Sequence, residues 1–316
     1  MSPRRAGWRT PAAAGVLLCA LLLSGCASPQ LTALDQRWPQ ALPPAALLEH
    51  VPFFAQDDHL CGPASLAMVA QAAGIRVTPG ELTEQVYVPG RQGALQLEML
   101  AATRRQGLVA YPLAPRLQDL LQEVAGGQPV LILQNLSLPI SPLWHYAVVI
   151  GYDRARNEVV LHSGVTERMV MALSTFEHTW ARSGYWAMRA VAPERLPVTA
   201  EADGWATAVA ALERVNPRAA QTAYATALAR WPDHRASLLG AGNAAYAQRQ
   251  LARAGQAYAA ATRAHPDFAD AWNNLAQVRL EQGQRRAARA AIDRAVALGG
   301  PRLAQYQELQ QKIRAP

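Results

Sequence analysis

The stretch AQDDHLCGPASLAMVAQAAG, residues 55–74, places a lone thiol, Cys61, between a polar loop and an apolar run with helical spacing. A thiol becomes a nucleophile when its pKa falls, and the first turn of a helix favours this through unpaired N–H groups and the helix dipole. Gly62-Pro63 follows Cys61, and a proline in the first turn strands no donor. Gln56 lies five residues upstream, where its amide can sit beside the Cys61 N–H and stabilise a developing oxyanion. His145 opens the apolar run HYAVVIGYD. A histidine at a strand start can face a cleft, take the thiol proton and return it to a leaving amine. Singly, each has an ordinary reading: Cys61 as a small buried apolar residue, His145 as a surface or capping residue. Together they are the residue types of an acyl-transfer site.

The elements that must position them follow from periodicity. Leu66, Ala67, Val69, Ala70 and Ala73 recur at helical spacing, and Gly74 closes that helix. Thr78 caps a short helix starting at Pro79, and two amphipathic helices end at Gly107 and at Gly126-Gly127. PVLILQN, HYAVVIGYD, NEVVLHS, ERMVMAL and YWAMRAV read as strands, with a helix capped by Ser174 before the last. Helices first and strands later predict an α+β domain with a mainly antiparallel sheet. The loop YVPGRQG, Tyr87 to Gly93, reads as a cover for a cleft or a plain surface turn. Asp57, Asp58 and His59 read as a solvated loop, because no other ligand spacing supports a metal, and no cofactor is expected.

The N-terminus reads as a processing segment. Arg4, Arg5 and Arg9 precede the apolar AAAGVLLCALLL, which runs into LSGC at residues 23–26. This resembles the bacterial lipobox, which implies a signal peptide at 1–25 and lipidation of Cys26. Ala27 in place of Asp implies the outer membrane, facing the periplasm. Cys19 leaves with the signal and Cys26 carries lipid, so Cys61 remains as the free thiol and no disulfide framework is available. Residues 26–50, rich in proline, read as a tether. The formal net charge of +7 suggests nucleic acid only superficially. Residues 26–200 hold 12 basic and 14 acidic residues, and no basic motif interleaved with aromatics accompanies the excess elsewhere. Nucleic acid is therefore not expected as a partner, and without a G-x-x-x-x-G-K-[ST] loop neither is an ATP site.

Past Pro197 the composition shifts to Ala, Arg and Gln, and a period of 34 residues emerges. Ala220, Ala254 and Ala288 share one register, as do Tyr224, Tyr258 and Ile292, and Ala227, Ala261 and Ala295. Small residues let antiparallel helices approach, and large ones plug the gaps. The third copy, with Trp272, Leu275, Gly283, Ala288 and Ala295, looks like a tetratricopeptide repeat, and the first, near 201–232, is degenerate. Such repeats imply a protein partner.

QDDHLCGPASLAMVAQAAG followed by HYAVVIGYD resembles the bacteriocin-processing, double-glycine-type cysteine peptidases and their stand-alone relatives, over about residues 51–191. The resemblance implies a papain-like fold over 51–195, followed by the all-α repeat domain at 201–316. It also implies Gln56 as oxyanion residue, Cys61 as nucleophile and His145 as general base. That family orients its histidine with an aspartate at the end of the next strand; here VVLHSG puts His162 or Ser163 there. Ser163 is the preferred orienting group, while Asp153 ends the histidine's own strand, out of reach. The function these readings predict is a lipid-anchored cysteine peptidase acting on a peptide or protein. A catalytically weak peptide-binding module is the alternative, and transfer to an acceptor other than water is a third reading.

Overall fold

The computed structural model describes residues 28–56 and 59–315. The signal segment, Cys19, Cys26, Asp57 and Asp58 lie outside the described residues. No described helix is long and apolar enough to cross a membrane.

The N-terminal region is built on an antiparallel sheet. Its central strands are β5 (Val130–Asn135), β6 (Trp144–Asp153) and β7 (Glu158–Ser163), and β8 (Thr166–Ala172) follows β7 at one edge. At the other side, β9 (Ala187–Val191) pairs with β5 and with β4 (Val109–Pro112). β1 (Ala45–Leu47) pairs with the far end of β6. Alternation decides which side chains go where, since successive residues of a strand point to opposite faces. Tyr146, Val148 and Ile150 of β6 enter one core, while Ala147 and Val149 enter the other.

The first core lies under α2 (Cys61–Ala72), α3 (Pro79–Val86) and α4 (Gln96–Arg105). The second lies under α1 (Pro29–Gln36), α5 (Leu117–Ala125) and α6 (Leu173–Ala181). Between α3 and α4, β2 (Tyr87–Val88) and β3 (Gly93–Ala94) form a small hairpin through a 3-10 turn at Pro89–Arg91. Thr78 caps α3 in a reciprocal capping box with Glu81. Ser174, by contrast, lies inside α6, whose cap is Ala172.

The expectation of a tether over 26–50 is overturned for residues 28–50. Leu31 and Leu34 of α1 are buried in the second core, and Glu177 accepts the N–H groups of Gln30 (2.9 Å) and Leu31 (2.8 Å). The prolines there shape a segment that packs; they do not keep it loose.

Seven helices follow: α7 (Ala202–Glu213), α8 (Pro217–Arg230), α9 (Arg235–Ala247), α10 (Leu251–Ala264), α11 (Ala269–Glu281), α12 (Arg285–Leu298) and α13 (Leu303–Arg314). The 34-residue register is the buried register: Ala220, Ala254, Ala288 and their partners at the other two positions are all at most 2% exposed. Glycines open space for the tyrosines. A Cβ on Gly240 would come within 2.1 Å of the Tyr224 ring, and one on Gly242 within 2.3 Å of Tyr258.

The first helical pair departs from the repeat pattern because it also serves the sheet. Trp205 of α7 is fully buried, packs against Tyr111 of β4 with ring centroids 6.1 Å apart, and shares the second core. The connecting segment is fastened as well. Glu123 accepts Thr199 N–H at 2.7 Å and pairs with the buried Arg189.

Candidate active site

Cys61 is the first residue of α2, and Leu60 before it provides no side-chain cap. The N–H groups of the first turn are therefore open to a ligand, apart from Pro63, which has none. Gly62 is dictated by packing: a Cβ there would fall 2.5 Å from the Ala94 side chain in β3. His59, which leads into the helix, has a left-handed backbone (φ 69°).

Gln56 is buried beside this turn. Its N–H donates to Gly164 O at 3.2 Å, tying the incoming loop to the tight β7–β8 turn. Its side-chain amide contacts Ser65 Oγ at 3.5 Å, and its remaining amide oxygen has no protein partner. A hydroxyl both donates and accepts, so a rotated amide takes the Ser65 proton on Oε1 and frees the Nε2 hydrogens for the cavity.

His145 is the second residue of β6. Its Nε2 lies 2.9 Å from Ser163 Oγ on the neighbouring strand, which leaves Nδ1 as the ring nitrogen free to act elsewhere. His162 is turned away. It is buried against Phe53, with Nε2 at 3.2 Å from Val51 O and Nδ1 accepting Arg168 N–H at 3.3 Å. Asp153 stands eight residues along β6 from His145, about 26 Å at strand rise, and its carboxylate accepts Arg156 N–H at 3.1 Å.

Gln56, Cys61 and His145 line one cavity of about 910 Å³. Ser163 stands behind His145, and Gly164 and Val165 from its turn reach the wall. The electrostatics differ from those a helix start alone suggests. Burial pushes the Cys61 thiol up, and the N–H groups of Tyr146, Gly62 and Cys61 itself oppose this only in part. Burial also pushes His145 down. Removing water penalises each charged form, so burial works against a thiolate–imidazolium pair.

Sequence reasoning missed Tyr146 as a site residue, because it reads as one more large residue of an apolar strand. It lines the cavity, and its buried hydroxyl has no protein partner. The loop YVPGRQG is neither open cover nor plain turn. It forms the β2–β3 hairpin, whose Arg91, Gln92 and Gly93 line the cavity. Among the described residues no group of three or more His, Cys, Asp or Glu could hold a metal.

Residues 48–188 match the Peptidase_C39 like family, and residues 206–267 and 239–303 match the tetratricopeptide repeat. Among solved structures, a C39-like peptidase from Bacillus anthracis is similar at 21% identity and a TM-score of 0.39, over 46% of this chain and 97% of that one. The Sgt2 TPR domain from Aspergillus fumigatus is similar at 23% identity and a TM-score of 0.33, over 36% of this chain and 79% of that one. No curated protein sequence matches the chain.

Proposed function

The chain carries a domain of the C39-like peptidase family followed by tetratricopeptide repeats, and from that premise we propose that it is a cysteine peptidase. Cys61 is the nucleophile, His145 the general base and acid, Gln56 the oxyanion donor and Ser163 the positioning residue. The observation that carries this reading is that Cys61, Gln56 and His145 line one cavity while Ser163 holds the outer nitrogen of His145.

The chemistry follows from burial that disfavours both charged forms. As Cys61 Sγ attacks the substrate carbonyl carbon, His145 Nδ1 takes the thiol proton in the same step. The carbonyl oxygen gains charge and is held by the Cys61 N–H and the Gln56 amide. The imidazolium then protonates the amide nitrogen, the C–N bond breaks and a thioester remains. Water, deprotonated by His145, hydrolyses the thioester and restores the thiol. Ser163 fixes the ring but offers no negative charge to the imidazolium, so turnover is slower than with a carboxylate there.

The test is proteolysis of a mixed peptide library by the chain and by Cys61→Ala, with new termini read by mass spectrometry. New termini are expected with the native chain alone. The same products from Cys61→Ala would overturn the mechanism. A second reading rests on the absent carboxylate and the raised thiol: a fold that binds peptides without cutting them. It predicts retention of library peptides with no new termini.

Two further features of the proposal rest on sequence pattern. The repeats recruit a protein partner or substrate, and Cys26 bears a lipid that holds the chain at the outer membrane, facing the periplasm. Radiolabelled palmitate is expected to label the native chain in a Gram-negative host and not Cys26→Ser. Equal labelling of both would remove the anchor.

A further inference from the structure

The mouth of the cavity is apolar to a degree the rest of the surface is not. Five of the twelve exposed large apolar side chains among the described residues, Leu95, Leu136, Leu143, Trp144 and Val165, line it, and three more, Leu97, Leu138 and Ile140, belong to the same segments. On one side, between β5 and β6, stand Leu136, Leu138, Ile140, Leu143 and Trp144, with Ile140 91% exposed. Opposite stand Leu95 and Leu97 after the β2–β3 hairpin, the latter 74% exposed, and Val165 comes from the β7–β8 turn. Scattered apolar residues on a surface need no explanation, but a contiguous patch around a cavity marks a binding groove.

Both sides are held in shape. Asn135 Oδ1 accepts the N–H groups of Ser137 (3.0 Å) and Leu143 (2.9 Å), clamping the two ends of the β5–β6 loop together. The Leu136 N–H donates to Leu143 O at 2.9 Å, and Arg182 Nη1 donates to the carbonyls of Asn135 and Ser137. Opposite, the hairpin is pinned where Ala94 meets Gly62. A loop that is fixed while its large apolar side chains face water is already organised for a ligand that covers them.

The wall also carries two cations. Its described residues include Arg91 and Arg182 and no aspartate or glutamate. A lysine or arginine brought into the groove would lose water beside like charge.

We propose that the groove takes an extended peptide whose residues on both sides of the bond at Cys61 are large and apolar, and that it rejects lysine and arginine there. In naming the substrate class this rests on the peptidase reading; as a statement of what the groove binds, it stands apart from it.

Full-length protein carrying Cys61→Ala is titrated, by fluorescence anisotropy, into three dye-labelled ten-residue peptides. They are identical except for the two residues on each side of a central Ala-Ala, which are leucines, serines or lysines. The leucine peptide is expected to bind at least tenfold tighter than the serine peptide, and the lysine peptide weakest. Leu143→Ser and Ile140→Ser, both at exposed positions, are expected to shrink the preference while leaving Tm unchanged. Serine and leucine peptides binding within threefold of each other would overturn the inference. So would anionic lipid vesicles, but no peptide, being captured in an Ile140-dependent way. The native enzyme separates the two claims: preference without cleavage sinks the peptidase reading alone, and cleavage without preference sinks this inference alone.

Discussion

At Cys61 and His145 burial opposes charge on both partners, and this sets the expected pH response. The proposed mechanism needs neutral His145. Its pKa is lowered, so kcat/KM is expected to rise with pH through a value below the free imidazole's, about 6.5, and to stay level through neutrality. Iodoacetamide labelling of the resting protein is expected to climb only above about pH 8.5, where an ordinary thiol ionises. Fast labelling near pH 6 would instead show a preformed thiolate–imidazolium pair. Ser163 offers a matched pair of variants. Ser163→Ala removes one neutral hydrogen bond of about 1 kcal/mol, a rate loss of several-fold to tenfold. Ser163→Asp places a carboxylate on Nε2, so the acid limb is expected to move up by about 1–3 pH units. An unmoved limb in Ser163→Asp would mean that the contact does not govern the base. Cys61, Gln56 and His145 are legible in the sequence because thiol, amide and imidazole chemistry restricts residue types. Ser163 is preferred to His162 in the sequence on hydroxyl chemistry alone; neighbours on a strand face opposite ways, and the fold brings Ser163 to the histidine.

The start of α2 and the β2–β3 hairpin are coupled through one close contact. Gly62→Ala would drive a Cβ to 2.5 Å from the Ala94 side chain. Neither side chain is a flexible end that can swing aside, so backbone must move. A loss of about 1–3 kcal/mol is expected, as for other overpacked sites, together with reduced kcat/KM, because the displaced hairpin is a wall of the cavity. A Gly62→Ala protein of native Tm and native kcat/KM would show that the hairpin yields freely. The long amphipathic helices and the β5–β8 strands are legible because each repeats one period over enough residues. β1, at three residues, and β4, at four, are too short to display alternation. α1 hides among prolines, and its helix is stabilised by burial of Leu31 and Leu34 against α5 and α6 rather than by propensity.

Across the whole molecule, the peptidase domain and the repeats share one core. Trp205 and Leu212 from the first repeat helix lie in the same apolar cluster as Tyr111, Leu120 and Val191 from the sheet side. Trp205→Ala is expected to cost about 3–5 kcal/mol and to lower the melting transition of both parts together. Two separate transitions in calorimetry, with only the later-sequence part shifted, would contradict the shared core. Removal of 201–316 is therefore expected to strip a face from the peptidase sheet, so its effect on partner capture reports folding as well as docking. The final helix, α13, lies beyond the third copy of the repeat and covers it with Tyr306 and Ile313.

The 34-residue period, the thiol at a helix start and the strands of a mainly antiparallel sheet are properties of local pattern, and local pattern is written in the chain. Helical and strand periods follow from backbone geometry, and a repeat conserves the positions at which its helices must touch. The packing of residues 28–50, the selection of Ser163 and the apolar mouth of the cavity join segments far apart in sequence. The burial that opposes charge on Cys61 and His145 belongs with them. A helix start favours a thiolate, yet burial pushes the Cys61 thiol up against the N–H groups that face it, and that burial exists only once the chain has folded.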